Sequence, residues 1–226
     1  MSKLGQHFDN EAENFDDNVY KNIPRYDEMI DALIKAIPFD KEDLRILDLG
    51  CGTGNITKKV LERYPKAHVT CLDLSKNMLE LAKEKLSGYD SIEYVLGDFT
   101  IIDIIDNYDA IISSLALHHI PSDDAKLEMY KHIYAALNNG GVFYNADVIK
   151  AASKYNEELN QKVFDEFMKD NGVSSQDISE HRHKRHVNDI PITLTKHLNL
   201  LEEAGFEDID VIWKYYGNAV YGATKR

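Results

Sequence analysis

Ile46-Leu47-Asp48-Leu49-Gly50-Cys51-Gly52-Thr53-Gly54 is an apolar run that ends in three alternating glycines, and Asp73 closes the next apolar run. A ligand lying across a strand end must come within contact distance of the main chain, and a Cβ at Gly50 or Gly52 would stand in its way. The stretch therefore reads as a buried strand opening into a turn that admits a nucleoside. Alone, such a triplet is as well explained by a tight turn. Spacing separates two ligand classes. A dinucleotide fingerprint places its third glycine three residues after the second, where a helix N-terminus receives the pyrophosphate. That position is Asn55 here, and Asp48 would repel a pyrophosphate while suiting a cationic ligand. Asp73, at the end of the second strand, can accept hydrogen bonds from both hydroxyls of a ribose in either class.

Beyond Gly54 the chain alternates short apolar runs with helical stripes, the order that builds a parallel sheet. Strands are predicted over 67–72, 92–96, 110–114 and 142–148, with helices between them. The helix starting at Asp123 is predicted to stop at Asn138-Asn139-Gly140-Gly141. Phe206–Trp213 and Gly217–Ala223 are too close for a crossover helix and must pair antiparallel. The fold class is α/β, a Rossmann-like, doubly wound, mostly parallel seven-stranded sheet with a C-terminal antiparallel hairpin. One domain is expected over 1–226, with 1–43 as an N-terminal helical lid and 151–190 as a helical insertion near the substrate, because additions to an open parallel sheet reach the crevice at its C-terminal strand ends.

Composition narrows the partners. A net charge of -13 disfavours a broad nucleic-acid surface, and no apolar run is long enough to span a bilayer. The polar, acidic N-terminus does not read as a secretory leader, so a cytoplasmic protein without membrane association is expected. Cys51 and Cys71 lack a CxxC spacing and read as small, packed, reduced residues.

Together the motifs resemble those of class I S-adenosylmethionine-dependent methyltransferases: Leu-Asp-Leu-Gly-Cys-Gly-Thr-Gly at 47–54, Leu-Asp-Leu-Ser at 72–75, Gly-Asp-Phe at 97–99, Leu-His-His-Ile at 117–120 and Ala-Gly-Phe at 204–206. Ile-Pro-Arg-Tyr-Asp at 23–27, Asn171-Gly172, Asp177-Ile178-Ser179 with Arg182, and the terminal hairpin resemble the branch of carboxy-S-adenosylmethionine synthase and the tRNA wobble-uridine methyltransferase-like proteins. The resemblance implies S-adenosylmethionine as cofactor. It places Tyr26 at the methionyl end, Gly50, Cys51 and Gly52 against the ligand, Asp73 and Leu74 around the ribose, Asp98 and Phe99 at the adenine, and Ser114 near the transfer centre. Arg182 falls where the synthase holds its extra carboxylate. Gly52 and Ser114 replace a non-glycine residue and an asparagine of the synthase, which makes the chain look more like an ordinary methyltransferase. A small-molecule acceptor is expected, with transfer RNA disfavoured by the acidic charge.

Methyl transfer from a sulfonium is an in-line displacement that needs alignment and a dry site, with a base only for a protonated acceptor. His119 is the candidate base or a shape-setting wall, and His118 reads as a packed ring bonded to backbone. The segment from His181 to His186 is the one dense basic cluster, read either as a solvated surface turn or as an anion clamp centred on Arg182. No acidic or cysteine partner gives its histidines a known metal spacing, so no metal is expected.

Overall fold

A computed structural model describes residues 3–41, 43–104 and 107–226, and the side chains of Lys3 and His186 lie outside the described set. Residues 1, 2 and 42 of the predicted N-terminal segment are likewise outside it.

The strands are β1 (Arg45–Leu49), β2 (His68–Asp73), β3 (Ile92–Leu96), β4 (Tyr108–Ser114), β5 (Leu137–Val148), β6 (Glu207–Tyr215) and β7 (Asn218–Thr224). They form one seven-stranded sheet in the order β3-β2-β1-β4-β5-β7-β6. The first five are parallel, with Leu49 beside Leu72 and Ser113, and β7 runs antiparallel between β5 and β6. Chain order reverses between β1 and β4, the place where an open α/β sheet leaves a crevice outside its strand ends.

Helices cover both faces. On one lie α3 (Tyr26–Ala36), α4 (Asn55–Arg63) and α5 (Lys76–Lys85), whose Ile30, Leu33, Val60 and Leu79 join Ile46 and Ile112 in a core. On the other, α6 (Asp123–Ala136) and α9 (Leu194–Glu203) pack Tyr130, Ile133 and Leu201 on Leu47, Ile111 and Phe143. Ser75 Oγ accepts from the Met78 amide at 3.1 Å and caps the start of α5. No helix among the described residues is long and apolar enough to cross a membrane.

Two boundaries differ from the sequence reading. Helix α6 ends at Ala136, and Asn138-Asn139-Gly140-Gly141 belongs to β5. The terminal strand recruits that segment, since the Gly140 amide donates to Lys225 O at 2.6 Å and the Lys225 amide to Gly141 O at 2.9 Å. The basic cluster is a helix, α8 (Ser175–Asn188), rather than a surface turn. It follows α7 (Lys154–Asp170), and with α1 (Lys3–Glu11) and α2 (Phe15–Asn22) these helices lie over the C-terminal strand ends.

Candidate active site

Strand β1 turns away at Gly50, and the turn is pinned to β2 by Gly50 and Cys51 amides donating to Leu72 O at 2.8 and 3.1 Å. Gly50, Gly52 and Gly54 all have positive φ. Their reasons differ. An added Cβ on Gly50 would lie 2.5 Å from Ala116 Cβ, so its bareness also serves the packing of the turn after β4. A Cβ on Gly52 would meet only Phe15 Cε1, at 3.6 Å, and would otherwise fill the cavity. Gly52 is therefore the position where bare main chain faces ligand space.

Asp73 is 7 % exposed, and each carboxylate oxygen receives one backbone amide: Gly52 N to Oδ2 and Ser75 N to Oδ1, both at 2.8 Å. Each oxygen keeps acceptor capacity for one more donor, the pattern a vicinal diol satisfies. Burial pushes its carboxyl up, and the Ser75 and Gly52 amides work against that push by stabilising the charge.

Asp48 is buried beneath the turn and does not reach the cavity. Its Oδ2 accepts from the Thr57 hydroxyl at 2.6 Å, and its Oδ1 has no partner among the described residues. Burial raises its carboxyl to about 7, with the Thr57 hydroxyl opposing. The folded pKa thus stands above the unfolded one, so the native state holds the proton longer, and this group's contribution to stability is full below about pH 4 and is lost as pH rises toward 7. Asp48→Asn is expected to flatten that slope and to be more stable than the parent at pH 8, by an order of ~1–3 kcal/mol, as urea unfolding at pH 5 and pH 8 would show.

The first cavity encloses about 60 Å³ and is lined by Gly50, Cys51, Gly52, Asp73, Leu74, Phe99 and Ser114, with Tyr26 at one end. Tyr26 is 6 % exposed, and burial raises its phenol well above the usual range. Ser114 Oγ is buried without a partner among the described residues, an orphan aimed where a polar ligand would satisfy it. Asp98 does not reach this lining. Its Oδ1 accepts from the Thr100 amide at 2.9 Å and hydroxyl at 2.6 Å, so it caps the turn that presents Phe99. Leu4, Phe8 and Phe15 of α1 and α2 close the cavity, a contribution that no motif in the sequence signals. Asp16 ties α2 to the glycine turn, accepting from Thr53 Oγ1 at 2.6 Å, Asn55 Nδ2 at 2.8 Å and Lys85 Nζ at 2.6 Å.

A second, larger chamber of about 550 Å³ lies beyond, between α1, α2, α8 and the turn after β4. Phe8, Phe15, Leu115 and His119 line both. Leu115 carries a φ of 51°, a strained conformation held at the junction itself. His119 Nδ1 lies 3.2 Å from Asn188 O, and burial together with His118 lowers its pKa to about 3, so the ring is neutral at physiological pH. His118 is packed as expected, but its partner is a buried carboxylate: Nδ1 lies 2.6 Å from Asp147 Oδ1, and its amide donates to Oδ2 at 3.0 Å. Burial disfavours charge on His118, and Asp147 more than offsets this, holding the imidazole above its usual range.

Arg182 does not line the chamber, and it pairs with Asp165 of α7. One helical turn decides this: His181, Lys184 and Arg185 fall on the face of α8 that lines the chamber, and Arg182 falls on its flank. Lys184 Nζ meets Glu11 Oε1 at 2.8 Å, and Arg185 Nε lies 3.5 Å from Asp189 Oδ2.

A sheet of this order, with a bare turn and a ribose-ready carboxylate at its switch point, defines a nucleoside-binding α/β protein. A methyltransferase domain family matches residues 46–141. An uncharacterised methyltransferase of Alkaliphilus oremlandii is 32% identical over 170 residues, covering 72% of this chain and 76% of that protein. The carboxy-S-adenosyl-L-methionine synthase of Campylobacter lari is 25% identical over 221 residues, 96% of this chain and 92% of the relative. In fold, the chain is similar to phosphoethanolamine N-methyltransferase 2 of Haemonchus contortus in complex with S-adenosyl-L-methionine, with a TM-score of 0.71 at 18% identity, over 97% of this chain and 58% of that one. The chain belongs to the class I S-adenosylmethionine-dependent methyltransferases, and over nearly its whole length it is similar to a carboxy-S-adenosyl-L-methionine synthase.

Proposed function

We propose that the protein transfers the methyl group of S-adenosylmethionine directly to a small molecule held in the larger chamber. The observation that carries this reading is the shared wall of Phe8, Phe15, Leu115 and His119, which sets an acceptor chamber against the end of the cofactor cavity. The residues present fit the cofactor: Asp73 has acceptor capacity for a ribose diol, Gly52 leaves the main chain bare, and Ser114 Oγ awaits a partner. Bound there, the cofactor supplies an electrophilic methyl on a sulfonium, whose departing thioether needs no proton.

The chain's own work is alignment and exclusion of water. Asp73 and Leu74 hold the ribose, Gly50 to Gly52 lie along the ligand, Phe99 packs on the adenine, and Tyr26 and Ser114 enclose the methionyl and transfer end. Nδ1–H of His119 donates to Asn188 O, which leaves the Nε2 lone pair of the neutral ring to accept a hydrogen bond from an acceptor hydroxyl, thiol or ammonium and orient it, its proton passing on to solvent. Lys21, Lys184 and Arg185 stand on the chamber wall beside Glu11, Asp177, Glu180 and Asp189, so the wall presents both signs of charge to the acceptor. Two free, buried thiols suit a reducing cytoplasm.

Residues 1–43 act as a lid in this reading. A cavity of about 60 Å³ is far below the ~300 Å³ and more of ordinary ligand pockets, so α1 and α2 must withdraw for cofactor to enter. Asp16→Ala cuts the tie to Thr53, Asn55 and Lys85 and is expected to speed release of S-adenosylhomocysteine about fivefold, read by stopped-flow fluorescence.

The acceptor is tested by following S-adenosylhomocysteine release over a panel of small acids, alcohols and amines, with transfer RNA as the contrasting arm. Turnover with a small molecule is expected, and methylation of transfer RNA alone overturns the assignment. The full-length likeness to the Campylobacter synthase favours a second reading, a carboxy-S-adenosylmethionine synthase. Mass spectrometry of the ligand extracted from purified protein decides between them, since a carboxylated cofactor that survives purification belongs to the synthase alone and S-adenosylmethionine or its demethylated product belongs to the methyltransferase.

A further inference from the structure

We propose that His118, His119 and Asp189 form a binding site for a divalent transition metal ion, zinc or a close analogue, on the wall of the acceptor chamber. Asp189 Oδ1 lies 3.7 Å from His118 Nε2 and 3.6 Å from His119 Nδ1, and one ligand atom from each residue falls within 4.8 Å of the others. Ligands held ~2.0–2.2 Å from a tetrahedral ion stand about 3.4 Å from one another. The three atoms are therefore within a few tenths of an ångström of closing on an ion along two edges. Two imidazoles and one carboxylate are the donor set that zinc and its neighbours select over magnesium or calcium.

The surroundings are built to the same end. His118 Nδ1 meets the buried Asp147 at 2.6 Å, the carboxylate–histidine arrangement that fixes Nδ1–H and leaves the Nε2 lone pair directed outward, toward Asp189. The peptide amide of His118 donates to the other Asp147 oxygen at 3.0 Å, so this support is itself held. Arg185 Nε lies 3.5 Å from Asp189 Oδ2 and steadies the oxygen not offered to the ion. Asp147 and Asp189 together supply two negative charges against the one of Arg185, which favours a dication locally. His119 reaches Asn188 O at 3.2 Å, a long bond that Nδ1 exchanges for the metal. All three ligands line the chamber, so a fourth position faces the acceptor.

The consequence rests on the methyltransferase reading of the chamber. An acceptor oxygen or sulfur in the fourth position loses its proton more readily, to solvent, and presents its lone pair to the methyl. With the ion bound, His119 is a ligand, and the hydrogen-bond-accepting role given it above belongs to the metal-free protein.

The test is a titration of chelator-stripped, full-length protein with Co²⁺, followed by its visible absorption, and then displacement by Zn²⁺ measured by calorimetry. One ion per chain is expected, with Asp189→Asn and His119→Gln each weakening binding at least tenfold. Arg182→Ala, which leaves the proposed ligands alone, is expected to bind as the parent does. Absence of a saturable one-to-one signal overturns the site, as does unchanged affinity in both ligand variants. Circular dichroism and S-adenosylhomocysteine binding, measured on the same samples, separate loss of the metal site from misfolding. Failure to bind S-adenosylhomocysteine would strike the methyltransferase reading and leave the metal result standing.

Discussion

Asp73→Ala is expected to weaken binding of S-adenosylhomocysteine by at least tenfold and by about 100-fold at full effect, the largest loss from any single cofactor contact. A hydrogen bond to a charged acceptor contributes about 1.5–3 kcal/mol, and the alanine removes two acceptors from the ribose at once. Part of the loss is indirect. The Gly52 and Ser75 amides, each 2.8 Å from the carboxylate, are left unpaired in a buried place, which loosens the bare turn and the start of α5. Asp73→Asn separates the two contributions, since its amide keeps one acceptor oxygen at the same volume. Calorimetry below the melting temperature of each variant is expected to rank the parent above Asn and Asn above Ala. An alanine variant that melts lower yet binds as tightly as the parent would leave Asp73 a turn-supporting residue and remove it from the ribose.

The same residue shows why the fold and the cofactor side were legible in the sequence. A strand ending in bare glycines and a second strand ending in a carboxylate lie 23 residues apart, and parallel pairing sets Leu49 beside Leu72, so local motifs and one register bring Asp73 to the turn. The acceptor side has no such shortcut. His119 leaves a strand end, Asp189 follows a helix 70 residues later, and Phe8 comes from the first helix, so their meeting depends on packing between segments that share no pattern. Arg182 shows the limit within one helix. Its charge is plain in the sequence, but which of Arg182, Lys184 and Arg185 faces the chamber depends on the rotation of α8, which buries Ile178 in the core. The end of α6 departs from its sequence expectation for a related reason. Asn-Asn-Gly-Gly is a strong helix stop only when nothing else claims those residues, and the C-terminal strand claims them.

Gly50→Ala is expected to lower the melting temperature by about 8 °C, which corresponds to ~3 kcal/mol in a chain of this size. Two costs add. A non-glycine residue at φ 71° is strained by about 1–2 kcal/mol, and the new Cβ would stand 2.5 Å from Ala116 Cβ, an overlap that costs ~1–3 kcal/mol to relieve. The second cost belongs to a pair, so Ala116→Gly in the same chain should recover it and leave the first. A double-mutant cycle by thermal melting is expected to show about half the loss returned, while two independent sites would show losses that simply add. Ligand binding then distinguishes the two purposes of the glycine. Ala116 lines the cofactor cavity, so if Gly50 is bare only to accommodate that neighbour, the double variant regains S-adenosylhomocysteine affinity along with stability. If the Cβ also intrudes on the ligand, stability returns and affinity does not. The geometry favours the first outcome, because the built Cβ points at Ala116 and Phe99, whereas the Cβ of Gly52 points into ligand space.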